Sequence, residues 1–69
     1  MPDNKTIGKR IAALRERKKL TQTQLAELLE VGPSTVRMWE SGERIPRDEM
    51  KVKLSKLLGR SVKFIFFDD

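Results

Sequence analysis

The chain of 69 residues contains neither cysteine nor histidine. It therefore forms no disulfide, has no thiolate nucleophile or imidazole base, and lacks the commonest transition-metal ligands, which excludes hydrolase triads and zinc fingers. Apolar residues never follow one another for more than four positions, far short of the roughly 20 that a membrane-spanning helix needs. The start, Met1-Pro2-Asp3-Asn4-Lys5, has no apolar run behind its charge, so an export signal is not read there. No repeat, low-complexity tract or Ser/Gly linker interrupts the sequence. The expectation is a single soluble cytoplasmic domain over residues 1–69, with no cofactor, no metal and no membrane partner.

What is present is charge. Charged residues make up 36%, against roughly 25% in an average domain, and 15 Lys+Arg against 10 Asp+Glu leave a net +5. An anionic partner fits that excess, and so does a bare solubility role. One core and one principal binding surface are expected at this size. Such a core supplies no more than roughly 3–5 kcal/mol unaided, so well-packed helices or oligomerisation must make up the difference.

Ile7, Ile11, Leu14 and the stem of Lys18 share one helical face, which predicts a first helix from about Thr6 to Lys18. Thr21 and Gln24 have the spacing of a capping box, and Leu20 and Leu25 that of a hydrophobic staple, so a second helix begins at Gln22 and continues through Leu29. Gly32-Pro33 is an N-cap followed by proline at the first helical position, Val31 and Val36 form a second staple, and Trp39 extends the stripe. The third helix thus runs from Pro33 to Ser41 and stops at Gly42. Asp48 is expected to cap a fourth helix with Met50, Leu54, Leu57 and Leu58 inward, ended by Gly59. Beyond it Ser61 can cap a last turn that folds Val62, Ile65 and Phe66 onto the core; Lys63 to Phe67 fits a strand as well.

Two short helices joined by about three residues must cross steeply, as in a helix-turn-helix. The residues Leu20-Thr21-Gln22-Thr23-Gln24-Leu25-Ala26, Val31, Ser34-Thr35-Val36 and Trp39-Glu40-Ser41-Gly42, flanked by Leu14-Arg15, Pro46 and Leu58-Gly59, closely resemble the Cro/C1-type, or XRE, helix-turn-helix family. The resemblance covers about Ile7 to Phe66. It implies an all-α fold, a compact four- to five-helix lambda-repressor-like domain with its motif at about 21–41. It also implies double-stranded DNA as partner, a two-fold homodimer on a palindromic operator, and a third helix lying in the major groove.

By the same resemblance Pro33, Ser34, Arg37 and Met38 occupy base-facing positions. Arg37 can pair bidentately with guanine, Ser34 can bond base edges and Met38 can meet a thymine methyl, or serve only as packing. Thr21, Gln22, Thr35, Ser41, Arg44 and Arg47 sit where the family meets phosphates, although capping alone accounts for Thr21. Lys9, Arg10 and Lys19 fit a solvated face and a backbone contact equally. Arg15 and Glu40 match a structural ion pair between the first and third helices, and Trp39 belongs to the core.

Three positions depart from the family pattern: Lys19 and Glu30 stand where glycine is usual, and Arg60 replaces an apolar residue. A left-handed conformation costs a non-glycine residue roughly 1–2 kcal/mol, so the turn between the second and third helices is expected to differ from the family's. With Ile65 and Phe66 inward, Phe64 and Phe67 are expected to form an apolar patch that a second copy covers, a dimer interface. The leading function is a small transcriptional regulator, a repressor above all, and not an enzyme. An antitoxin or anti-repressor-like protein-interaction module on the same fold is the alternative.

Overall fold

The computed structural model describes Met1–Asp69 as five helices and no strand. The first, α1 (Asn4–Arg17), starts earlier than Thr6 because the Asp3 carboxylate accepts the Thr6 amide proton at 2.8 Å. Backbone and hydroxyl of Thr6 together hold the Asp3 carboxyl below its ordinary 3.8. Ile7, Ile11 and Leu14 are buried on one side of α1, and so is Gly8.

The second helix, α2 (Gln22–Leu29), opens with the complete capping box. Thr21 Oγ accepts from the Gln24 amide at 3.0 Å, and Gln24 Oε1 accepts from the Thr21 amide at 2.9 Å. The turn that follows does not avoid the left-handed region: Glu30 adopts φ 59°. Val31 donates back to the Ala26 carbonyl at 2.9 Å, so satisfied carbonyls at the helix end offset the strain that a non-glycine residue carries there. Lys19, at φ 58°, does the same after α1.

The third helix, α3 (Pro33–Ser41), has Gly32 as N-cap and Pro33 at its first position, as the dipeptide predicts. Its neighbour α4 (Asp48–Leu58) corrects one expectation, since the N-cap is Arg47 and not Asp48. Arg47 has the extended backbone and its carbonyl receives the Lys51 amide at 2.9 Å. Asp48 is therefore inside the first turn with Glu49, where negative charge suits the helix dipole. The tail is helical rather than a strand. It forms one π-helical turn, α5 (Lys63–Phe67), closed by the Asp68 amide on the Lys63 carbonyl at 2.8 Å and begun by Ser61 Oγ accepting from the Phe64 amide at 3.0 Å.

Twelve apolar side chains drawn from all five helices make the core, with Ile11, Leu25, Val36, Leu54 and Ile65 wholly enclosed. No charged or polar side chain is fully buried. The chief packing partner of both α1 and α2 is α3. At the α1–α3 crossing Gly8 is indispensable: a Cβ there would meet the Trp39 carbonyl oxygen at 2.6 Å and clash harder with that of Glu40. A Cβ essentially never approaches a non-bonded atom so closely, and the obstacle is backbone, which cannot swing aside.

Candidate nucleic-acid interface

On α3 the 3.6-residue period separates two faces. Val36 and Trp39 point into the core, while Pro33, Ser34, Arg37 and Ser41 are exposed and Met38 is half-buried. Four of the expected base-facing and phosphate-facing residues thus share one outward stripe with Met38 beside it. The helix is held from its inner side, and its outer side is left to solvent.

A polar cluster fixes how α3 sits against α1 and α2. Arg15 Nε and Nη2 donate to Glu40 Oε2 and Oε1 at 2.7 and 3.1 Å, and Arg15 Nη1 donates to the Leu20 carbonyl at 2.7 Å. The Arg15 and Glu40 side chains are only 12% and 8% exposed. Gln22 Nε2 adds a third donor on Glu40 Oε1 at 2.9 Å. The hydrogen bond to Glu40 raises the Arg15 pKa above its ordinary range against the opposing effect of burial. Bidentate geometry on a shielded carboxylate defines one relative placement of two helices and tolerates little else. Gln22 was expected at a phosphate; one of its amide protons is committed to this cluster, while its carbonyl and second proton stay free.

The remaining phosphate candidates differ in how free they are. Thr35, Arg44 and Arg47 line one open groove of about 250 Å³ together with the acid Glu49 and the apolar Val31, Trp39, Ile45 and Met50. Neither arginine is in an ion pair. The Thr21 hydroxyl accepts its capping bond and keeps its proton to donate. The Ser41 hydroxyl is already engaged, facing the Met38 carbonyl and Glu43 Oε1 at 3.1 Å each.

Arg10 proves to be neither a solvated side chain nor a free cation. Its Nη1 donates to the carbonyls of Phe64 and Ile65 at 2.9 and 3.3 Å, tying α1 to α5. The Phe64 ring beside it is half-buried, packs against the core and lies under Arg60, whose guanidinium is 3.5 Å from the ring centroid. The apolar patch expected from Phe64 and Phe67 together therefore reduces to Phe67, which is 43% exposed and flanked by the Lys51 ammonium at 5.2 Å. Arg60, the departure after Gly59, acquires a role: its plane covers an aromatic face. Gly8, Arg10 and the Glu43 contacts were not anticipated, since each depends on a partner supplied by tertiary packing or by a loop.

A helix-turn-helix family profile matches residues 11–65. The chain belongs to the Cro/C1-type helix-turn-helix family. Among curated relatives, it is 39% identical over 66 residues to the HTH-type transcriptional regulator DicA of Escherichia coli, a match that covers 96% of this chain and 49% of DicA. It is 40% identical over 57 residues to multiprotein-bridging factor 1b of Arabidopsis thaliana, covering 83% of this chain and 40% of that protein. The chain thus spans less than half the length of these curated relatives. Among solved structures, the chain is similar to the clp gene regulator ClgR from C. glutamicum, with a TM-score of 0.78 at 26% identity over 90% of this chain and 80% of that one.

Proposed function

We propose that the chain is a sequence-specific, duplex-DNA-binding transcriptional regulator that lays α3 in the major groove. The observation that carries this reading is the two-sided character of α3: an inner face anchored by Val36, Trp39 and Glu40, and an outer face bearing Pro33, Ser34, Arg37 and Met38. A helix fits the roughly 12 Å wide major groove, where a guanidinium distinguishes guanine by two parallel bonds. Thr35, Arg44 and Arg47 beside it, with Thr21 and Gln22, supply the phosphate contacts that orient the helix, whereas the expected contact of Ser41 is given up because its hydroxyl is taken up by Met38 and Glu43. The regulators DicA and ClgR support the same reading by their likeness. Repression is the favoured mode, because occupying an operator is sufficient for it. Such a protein works in the cytoplasm, at the nucleoid.

The operator is taken to be palindromic and the protein a homodimer, with Phe67 at the centre of the interface and Phe64 at its edge. Two-fold pairing places two recognition helices about 34 Å apart, one turn of DNA. Replacing Phe67 by Glu is expected to convert a sedimenting dimer to monomer. A second reading, a protein-interaction module of the antitoxin or anti-repressor kind, draws support from the likeness to the multiprotein-bridging factors, whose name states that they bridge proteins.

The deciding experiment is selection of bound sites from random duplex DNA. A palindromic consensus is expected, with log K falling against log salt at a slope of about −4 to −5 per subunit. Arg37→Ala should relax preference at one base pair and cost roughly 1–3 kcal/mol there, and Arg44→Ala should weaken all sequences alike. No enriched sequence and a flat salt response would overturn the DNA reading in favour of the protein-interaction one.

A further inference from the structure

Glu43 follows the Gly42 cap of α3, an acid facing the exposed cation of Arg37. Its carboxylate has fixed company. Oε1 accepts from Ser41 Oγ at 3.1 Å and faces Arg37 Nη1 at 4.0 Å, while the Glu43 amide approaches Ser41 Oγ at 3.4 Å. Arg37 and Glu43 are each 59% exposed, so the pair contributes little to folding, and its position on the outward stripe of α3 is the part that needs an account.

We infer that Glu43 is a specificity-determining positioning residue, its charge facing one edge of the Arg37 guanidinium so that Arg37 acts on DNA as an oriented fork more than as a free charge. This rests on the DNA reading of α3. An arginine presents five N–H donors in a rigid plane, and a bidentate guanine contact uses two of them. Glu43 faces the Nη1 edge and leaves donors to spare. Its negative charge offsets the attraction of Arg37 for phosphate, which is the same at every sequence. It leaves in place the directional bonds to O6 and N7. Ser41 steadies the carboxylate from the other side. One acid thereby weakens the sequence-blind part of binding and favours the sequence-reading part.

The test measures affinity of the full chain for three duplexes: the site selected by the wild type, that site changed at the base pair where Arg37→Ala loses preference, and a random sequence. Glu43→Gln is expected to tighten binding to the random and changed duplexes by roughly two- to fivefold, and to the selected site by less, so that discrimination falls. In an Arg37→Ala background Glu43→Gln should tighten all three equally, since the residue it positions is gone. Ser41→Ala should reproduce part of the loss of discrimination. Equal tightening on all three duplexes with Arg37 present would reduce Glu43 to simple repulsion and overturn the proposal while leaving the DNA reading intact. A wild type that binds no duplex would defeat the DNA reading and this inference with it. Thermal melts check the fold of each variant, and none should shift appreciably at such exposed positions.

Discussion

Arg10 and Arg15 leave α1 little more than one turn apart and hold different helices by different chemistry. Arg15 meets a carboxylate, Glu40, in a seam where both side chains are almost wholly shielded. Arg10 meets neutral backbone carbonyls of Phe64 and Ile65, in a part-buried position. Cutting the first contact from one side leaves a shielded charge without its partner, whereas cutting the second leaves only neutral carbonyls without a donor. Thus one arginine governs where α3 stands and the other only how firmly α5 closes the bottom of the core. The contrast separates residues that set the geometry of the candidate interface from those that merely keep the fold shut.

The seam is broken most severely at Gly8, where any Cβ strikes the Trp39 and Glu40 carbonyls. Gly8→Ala is expected to destabilise by roughly 3 kcal/mol, at the upper end for overpacking because backbone is the obstacle, and chemical denaturation would measure it. Glu40→Ala should cost about 2–3 kcal/mol by stranding Arg15, and Arg15→Leu combined with Glu40→Leu should recover most of that. A double variant no better than the single would mean that the seam depends on Glu40 through Gln22 instead. Arg10→Ala should cost about 1 kcal/mol, and its loss should appear first as faster hydrogen exchange at the Ile65 and Asp68 amides, not at those of α3. Global exchange in that variant would erase the distinction between the two arginines.

The smallest effect is expected at Asp3, which stands outside both regions and caps α1 from solvent. Its carboxyl is held below the ordinary 3.8 by Thr6. The charged form is therefore favoured in the folded state, and the stability it contributes is present above pH 3.8 and lost as pH falls through the lowered value. Asp3→Ala should lower the melting temperature slightly at pH 7, and the difference from wild type should vanish in strong acid.

Much of this arrangement is written locally in the chain. The boundaries of α2 and α3 follow from Thr21, Gln24, Gly32, Pro33 and Gly42 because caps and turns involve residues within a few positions of one another. The Arg15–Glu40 pair is legible only through resemblance, since nothing in the local pattern joins residues that far apart. Arg10 is illegible altogether: its acceptors are carbonyls, which every residue possesses, brought to it from the far end of the chain. Gly8 reads as an ordinary break in a helical stripe until α3 is laid across it. The start of α4 is misread by one position because Asp48 is a better side-chain cap than Arg47 in isolation, whereas the extended backbone falls at Arg47, directly after buried Pro46.

The division of α3 into an anchored side and a free side also bears on how such a protein changes over generations. Val36, Trp39 and Glu40 are answerable to the core and to Arg15, so drift there is punished by unfolding before any partner is consulted. Ser34 and Arg37 answer to no internal contact beyond the exposed Glu43. On the proposed DNA reading, substitutions at those two positions would leave the scaffold intact and alter only what it recognises, so new recognition could be sampled one residue at a time by a lineage that never loses its fold.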